Sequence, residues 1–202
     1  EDFIHLHVHT HYSILDGLSK IPNLVNKAIA DNMRGMAITD HGVMYGIKEF
    51  ADYCAGVNKK RREEGLDPFK PIYGCEMYVA HRRKEDKVRE LGDNSGYHLI
   101  VLAKNYQGYK NLTKLVSRSW TDGYYYRPRT DRADLEQFHE GLIVCSACIA
   151  GEVPDKILRN DIEGARETCE WYHRVFGEDY YLELQRHEVT DPNILANRET
   201  FP

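Results

Sequence analysis

Long hydrophobic runs, an excess of basic charge and abundant cysteine are all missing from this chain of 202 residues. No stretch reaches the roughly 20 consecutive apolar residues that a membrane-spanning helix needs, and we recognise no signal peptide. There is no initiator Met, and residues 197–202 do not resemble a finished terminus. We therefore expect a fragment of a longer protein that does not span a membrane.

The net charge and the cysteine content further limit the kind of protein that this chain can be. The net charge of −5 argues against a strongly basic nucleic-acid platform, although a carboxylate-rich metal site lowers the apparent charge until cations bind. Five cysteines are an odd, unevenly spaced set in a chain too large to need disulfide staples. They predict a reducing, cytoplasmic setting. The apolar fraction of 42% fits a globular domain with a substantial core.

Histidines occupy every second position from 5 to 11. In a β-strand this spacing puts the four imidazoles on one face, and Leu6 and Val8 on the other. Neutral imidazole is the commonest biological metal ligand, and a row of imidazoles is costly to bury without partners. The pattern favours a metal site. A solvent-facing edge strand and the remains of an affinity tag are the alternatives, although a tag would not interleave Leu and Val.

The rest of the chain alternates apolar strands with amphipathic helices. Strands are predicted at 36–39, 71–80, 97–103, 142–145 and 180–184. Helices are predicted to begin at Pro22, Tyr45, Tyr106 and Asp161. Continuous apolar strands separated by helices predict an α/β fold with a parallel sheet, and six such units favour a barrel. Since no linker or internal repeat is visible, we expect one domain.

Polar residues fall at the ends of the predicted strands, where the chemistry of such barrels gathers. The candidates are His7, His9, Asp16, Asp40, His41, Glu76, His98 and Cys148. Imidazole and carboxylate suit hard or borderline divalent ions, and two or three neighbouring ions suit phosphate-ester cleavage. His98 fits least well, because it comes early in its strand.

Structural roles compete with this interpretation at several positions. Glu76 could face solvent, His98 could be a core histidine bonded to backbone, and Asp40 could cap the following helix. Cys148 lies beyond the end of its strand, where a ligand could be. The other four cysteines lie on apolar faces and are best interpreted as core.

A segment rich in arginine and tyrosine follows the third predicted helix. Its members are Arg118, Tyr124, Tyr125, Tyr126, Arg127, Arg129 and Arg132. Interleaved aromatics and cations are typical of proteins that bind single-stranded nucleic acid. A solvated loop with its tyrosines packed on the barrel explains the pattern equally well, so both interpretations stay open.

With these residues in place, the chain resembles the PHP (polymerase and histidinol phosphatase) family. The resemblance begins with His7-Val8-His9 and Thr39-Asp40-His41, and continues through Gly74-Cys75-Glu76, Tyr97–Ala103 and Gly141–Cys148. The order and spacing of these motifs are similar to those of the polymerase-type members, the PHP domains of bacterial replicative DNA polymerases. The similarity extends over nearly all 202 residues.

The resemblance implies a fold and a ligand set. The fold is a distorted, TIM-like (βα)7 barrel of the PHP type, with its C-terminal strand missing beyond Pro202. The implied ligands are His7 and His9 for a first ion with Glu76 as a bridge, Asp16 and His41 for a second, and Glu76, His98 and Cys148 for a third. Up to three zinc, manganese or iron ions would bind, and magnesium is an alternative. We expect His9, Glu76 and Asp40 to be catalytic, and His187 to lie close enough to be a stray ligand.

The resemblance also implies a cytoplasmic domain of a replicative polymerase, and leaves three functions open. The first is a metal-dependent phosphodiesterase, a 3′→5′ exonuclease that removes mispaired nucleotides from a primer 3′ end. The second is a catalytically silent domain that braces the polymerase and binds a separate proofreading subunit. The third is a free-standing phosphatase of the histidinol-phosphate type. The implied partners are DNA and other replicase subunits.

Overall fold

The computed structural model describes residues 3–185, in which strands and helices alternate. The strands are β1 (Gly35–Ile38), β2 (Lys70–Val79), β3 (Tyr97–Ala103), β4 (Arg129–Thr130), β5 (Leu142–Cys145) and β6 (Tyr180–Tyr181). The helices are α1 (Ile21–Ala30), α2 (Ile47–Glu63), α3 (Tyr106–Thr121), α4 (Arg132–Gln137), α5 (Glu152–Leu158) and α6 (Ile162–Phe176). In this part of the chain no helix is both long and apolar enough to cross a membrane.

Local sequence explains where most helices begin. Pro22 lies in the first turn of α1, where its missing N–H costs nothing. The side chains of Asn105, Asp131 and Asp161 cap α3, α4 and α6 by accepting a hydrogen bond from the backbone three residues later. The short helices α4 and α5 were not predicted, because six or seven residues give too little apolar periodicity.

The strands form one mixed sheet in the order β1-β2-β3-β5-β6, with β4 beside β2. The predicted α/β class is confirmed, and the sheet is not closed within residues 3–185. The predicted parallel pairing holds for β1–β2, β2–β4 and β5–β6, but β3 runs antiparallel to both β2 and β5. The connection between β2 and β3 contains no α-helix. A parallel pair needs such a crossover, whereas an antiparallel return does not.

The histidine segment is not a regular strand. It runs beside β1, and the carbonyls of His5 and Val8 accept hydrogen bonds from Ala37 and Thr39. Three residues on one chain thus oppose two on the other, as in a β-bulge, and the two-residue alternation is broken. The prediction that four histidines share one face was therefore wrong. His5 is exposed, whereas His7 and His9 turn inward.

The two faces of the sheet have different surroundings. Cys75 and Met77 of β2, with Leu99 and Val101 of β3, belong to a buried core that also contains residues of α3 and α6. On the opposite face, Glu76 lies between Cys75 and Met77 by strand alternation. This inner face lines a cavity of about 1680 Å³, and His7, His9, His41 and His98 line the same cavity.

Candidate metal centre

Glu76 lies at the middle of a cluster of histidines and is only 1% exposed. Its Oε1 is 2.7 Å from Nδ1 of His98 and 3.5 Å from Nε2 of His7. Its Oε2 is 2.7 Å from Nδ1 of His41 and 3.0 Å from Nε2 of His9. Each carboxylate oxygen therefore meets its own pair of imidazoles. A carboxylate that bridges two metal ions needs such an arrangement, with separate histidine ligands beside each of its oxygens.

His7 is oriented by a residue that the sequence reasoning missed. Glu183, which follows β6, places its Oε1 2.8 Å from Nδ1 of His7. A carboxylate can only accept here, so Nδ1 carries a proton, and in the neutral imidazole Nε2 keeps the lone pair directed at the cluster. Carboxylate–histidine contacts of this kind fix metal ligands in many proteins. The available signal was an acidic residue between two leucines at the end of the last predicted strand, the same signal that identified Glu76.

His9 is oriented through a chain of hydrogen bonds that ends at Asp40. The Ser13 hydroxyl donates to Oδ1 of Asp40 at 2.8 Å, and lies 3.0 Å from Nδ1 of His9. Because the serine proton is used on Asp40, its oxygen accepts from His9 Nδ1, which leaves His9 Nε2 free to face Glu76. Thr10 donates to both oxygens of Asp40, through its backbone N–H and its hydroxyl. The contacts of Asp40 thus support a positioning role, and its predicted catalytic role stays a prediction.

His41 lies between two carboxylates. Its Nε2 is 2.9 Å from Oδ2 of Asp16, and its Nδ1 faces Glu76. Asp16 is held in a tight turn whose N–H groups bond to the Ser13 carbonyl. A Cβ on Gly17 would lie 1.8 Å from the Thr10 carbonyl oxygen, so only glycine allows this turn to approach the histidine segment.

His98 reaches the cluster because β3 is antiparallel to β2. The first residues of β3 lie beside the last residues of β2, and His98 pairs with Tyr78. The early position of His98 in its strand, which fitted a parallel sheet poorly, is thereby explained. Cys148 follows β5, and its Sγ is 3.6 Å from His98 Nδ1 and 4.0 Å from Glu76 Oε1.

The electrostatics of the cluster follow from these contacts. Burial alone would raise the pKa of Glu76, but the surrounding imidazoles outweigh burial and hold the pKa far below its ordinary value. Burial alone would lower the pKa of His7, but the hydrogen bonds to Glu183 and Glu76 raise it to about 10. For His98 the contacts with Cys148 and Glu76 outweigh burial and raise the pKa to about 9. Without cations the cluster therefore binds protons tightly.

The donor set fits divalent metal ions. Three overlapping groups have ligand atoms within 4.8 Å of one another. They are His7, His9 and Glu76; His9, Asp16 and His41; and His41, Glu76 and His98. His41 Nδ1 and Glu76 Oε2 are buried and only 2.7 Å apart, yet neither makes a well-oriented hydrogen bond with any described residue. Buried polar atoms without well-oriented hydrogen bonds are costly, and a shared cation would satisfy both.

The structure thus brings together the residues that the sequence singled out. The imidazoles and carboxylates expected to bind metal all lie in these groups, and Cys148 lies beside one of them. His5 packs against Phe3 and His11 against Tyr12, so both lie outside the three groups. His187 lies outside the described residues.

Comparison with known proteins agrees with this geometry. The model of the PHP domain family matches residues 5–187. The chain is 47% identical over 196 residues to the DNA polymerase III subunit alpha of Borreliella burgdorferi, covering 97% of this chain and 16% of that protein. It is 40% identical over 195 residues to the same subunit of Treponema pallidum, covering 96% of this chain and 16% of that protein. The chain therefore spans about a sixth of these relatives.

A more distant likeness is found among solved structures. A protein from Bifidobacterium adolescentis, inferred to be a metal-dependent phosphoesterase, aligns with a TM-score of 0.45 and 11% identity. The alignment covers 97% of this chain and 95% of that one. Family membership rests on the sequence matches, which extend over nearly the whole chain and include every residue of the cluster. The chain belongs to the PHP domain family, and is homologous to part of the DNA polymerase III alpha subunits.

Proposed function

We propose that residues 1–202 form a single PHP domain of a longer replicative DNA polymerase subunit, and that this domain is a metal-dependent phosphodiesterase. Similarity to DNA polymerase III alpha subunits over 96–97% of the chain supports the first part. The position of Glu76 supports the phosphodiesterase function, because each of its buried oxygens lies close to two imidazoles. Such a bridge holds ions as neighbours, which is the arrangement that cleaves phosphate diesters.

Divalent ions bound here would polarise the phosphoryl group, lower the pKa of a water molecule and neutralise the leaving oxygen. The chain's own residues set the geometry. Glu76 would hold ions with both of its oxygens, while His7 and His9 present Nε2 because Glu183 and Ser13 hold their Nδ1 protons. Imidazole, carboxylate and one thiolate suit up to three zinc, manganese or iron ions, with magnesium as an alternative.

The proposed substrate is the 3′ end of a DNA strand, from which the domain would release nucleotides. The proposed partners are DNA and the other subunits of a replicase. We assign the catalytic roles to His9 and Glu76, because each belongs to two of the three potential metal groups. Asp40 would act at a distance, through Ser13 and His9.

The test is exonuclease activity of the purified full-length protein together with its metal content. We expect manganese- or zinc-dependent release of nucleotides from a single-stranded 3′ end, and a loss of at least about a hundredfold in the His9→Ala variant. His5→Ala is the matched control, because this exposed histidine of the same segment lies outside the metal groups. Elemental analysis should find two or three ions per chain in the control. Full metal content without nuclease activity would contradict the proposal.

A bracing role is the second candidate, and one contact favours it. His7 and Glu183 join the N-terminal segment to the end of β6, so bound ions would hold both parts of the domain together. Chelation would then lower the melting temperature in a protein without nuclease activity at any metal concentration. Rapid hydrolysis of histidinol phosphate would instead support a small-molecule phosphatase.

A further inference from the structure

An exposed aromatic surface lies next to the metal centre. It comprises Trp120, Tyr124, Tyr126, Arg89 and Arg127, which we call the aromatic platform. The rings of Trp120 and Tyr124 stack at 5.4 Å with an interplanar angle of 16°. These two rings are 42% and 48% exposed, and Tyr126 is 57% exposed. Three large rings therefore remain open to solvent within one short stretch of chain.

The two arginines of the platform each place a positive charge beside a tyrosine ring. The guanidinium of Arg89 lies 6.0 Å from the centre of the Tyr126 ring, and that of Arg127 lies 5.6 Å from the Tyr78 ring. Among residues 3–185, neither arginine takes part in an ion pair, whereas Arg118 pairs with Asp134. Both charges are thus available to an anionic ligand.

A buried arginine makes the platform rigid. Arg129 is 0% exposed and donates to the carbonyls of Gly123, Lys84 and Asp93 at 3.1, 2.7 and 2.6 Å. It thereby ties the chain that carries the tyrosines to the loop that carries Arg89. A binding surface that is already ordered loses less conformational entropy when a ligand binds. Of the two interpretations that the sequence left open for Arg129, nucleic-acid contact is excluded, because this side chain is fully buried.

The platform is connected directly to the metal centre. The indole Nε1 of Trp120 donates to the Gly42 carbonyl at 2.8 Å, one residue after His41. Tyr78 contacts Arg127 on the platform and stacks with His41 at 6.1 Å in the cluster. Gly42 has φ +63°, and a Cβ there would lie 2.7 Å from Pro128, so the platform packs closely on the loop that carries His41.

We propose that the aromatic platform binds single-stranded nucleic acid and directs its end to the metal centre. Unpaired bases stack on aromatic rings regardless of sequence, while arginines contact the phosphates. The platform supplies both, and its free positive charge complements a polyanion rather than an apolar protein segment. Binding of the nucleic acid does not depend on the proposed phosphodiesterase function. Only the placing of its end at the metal centre rests on that function. With two phosphate contacts, binding should be weak and depend on salt with a slope of about −1.4.

The test is photo-cross-linking of the full-length protein to a thymidine oligonucleotide that carries one 5-iodouracil near its 3′ end. We expect cross-links in the peptide that contains residues 120–127. Tyr124→Ala and Tyr126→Gly should each lower their yield about fivefold or more. Tyr126 has φ +60°, which glycine adopts without strain, so the second variant removes the ring without harming the fold.

Tyr106→Ala is the matched control. This tyrosine is 75% exposed and has the Lys110 ammonium 5.2 Å above its ring. It begins α3 whereas Trp120 lies near its end, about 21 Å away at 1.5 Å per residue. The control should leave the cross-links unchanged. The proposal would be overturned if no cross-links formed in residues 120–127, as expected when another protein segment covers the platform. It would also be overturned if neither variant lowered the yield of cross-links.

A second measurement separates this inference from the proposed function. The two platform variants should raise KM for a single-stranded oligonucleotide about fivefold, without changing kcat or the hydrolysis of bis(4-nitrophenyl) phosphate. An unchanged KM would count against the platform. If the cross-links form but no phosphodiester is cleaved, the platform is supported and the phosphodiesterase function fails.

Discussion

Glu183 and His7 are hydrogen bonded at 2.8 Å although 176 residues separate them in the chain. The contact fixes which nitrogen of His7 carries a proton, and therefore which one faces Glu76. Glu183 lies outside the three potential metal groups, so its effect on the centre acts through the orientation of His7.

Replacing Glu183 should weaken metal binding without removing a ligand. We expect Glu183→Ala to lower metal affinity by about 10- to 100-fold, the usual effect of losing a carboxylate behind a ligating histidine. Competition with a chromogenic chelator measures this affinity. Glu178→Ala is the control, since Glu178 is an exposed glutamate just before β6. Equal affinities in the two variants would show that the contact does not orient the ligand.

Asp40→Asn tests positioning against catalysis. An amide would place an N–H group against the donors of Thr10 and Ser13, at a cost of about 1–3 kcal/mol in the free energy of unfolding. If Asp40 is a positioning residue, metal content and activity fall together. If it is catalytic, activity falls while metal content stays full. Asp52→Asn, an exposed site on α2, should change neither.

The pH dependence of the chelated protein should be opposite to that of the metal-loaded protein. The pKa values of His7 and His98 are raised to about 10 and about 9. A histidine whose pKa is raised in the folded state stabilises the fold when it is protonated. This contribution is complete when the pH is below the ordinary histidine pKa near 6.5, and it is lost as the pH rises through 9 to 10. Urea unfolding of the chelated protein should thus become easier between pH 7 and pH 10.

Metal affinity should rise over the same range, because the imidazoles must lose their protons to bind an ion. Titration of metal binding at several pH values measures this trend, and proton release into a weak buffer confirms its cause. The His7→Gln variant should have a flatter profile in both experiments. A metal affinity that falls as pH rises would exclude these histidines as ligands.

Arg129→Met should destabilise the domain strongly. The substitution leaves three buried carbonyls without their donor, at about 1–3 kcal/mol each, and we expect a loss of at least about 3 kcal/mol in the free energy of unfolding. Arg127→Met is the control, since the same change at an exposed position two residues earlier should cost about 0.5 kcal/mol or less. Similar denaturation midpoints for the two variants would mean that Arg129 does not tie the loops together.

Sequence reasoning succeeded where chemistry and local pattern agree. The strand containing Glu76 and the strand 97–103 were predicted almost to the residue, because each is a continuous apolar run. Glu76 itself stood out as one acidic residue in apolar company. Of the four cysteines expected in the core, Cys54, Cys75 and Cys145 are buried, whereas Cys169 is only half-buried.

Long-range geometry is what sequence could not supply. The lack of a predicted helix between the strands 71–80 and 97–103 was the one local signal that β3 runs antiparallel, and apolar pattern alone did not reveal it. This direction is the reason that His98 meets Glu76. The bulge beside β1 likewise depends on pairing between distant segments, and it decides that His5 faces solvent. Arg129 and Arg127 look equivalent in the sequence, and only the packed loops distinguish the buried side chain from the exposed one.

The antiparallel direction of β3 also bears on how the domain folds. Glu76 and His98 are 22 residues apart on adjoining strands, so their meeting closes a short loop. His7 and Glu183 close a loop of 176 residues, which costs more chain entropy and forms more slowly. We therefore expect the β2–β3 pair to form first during folding, and the contact between the histidine segment and the end of β6 to form last. The first pair of ligands can assemble while most of the domain is still unfolded.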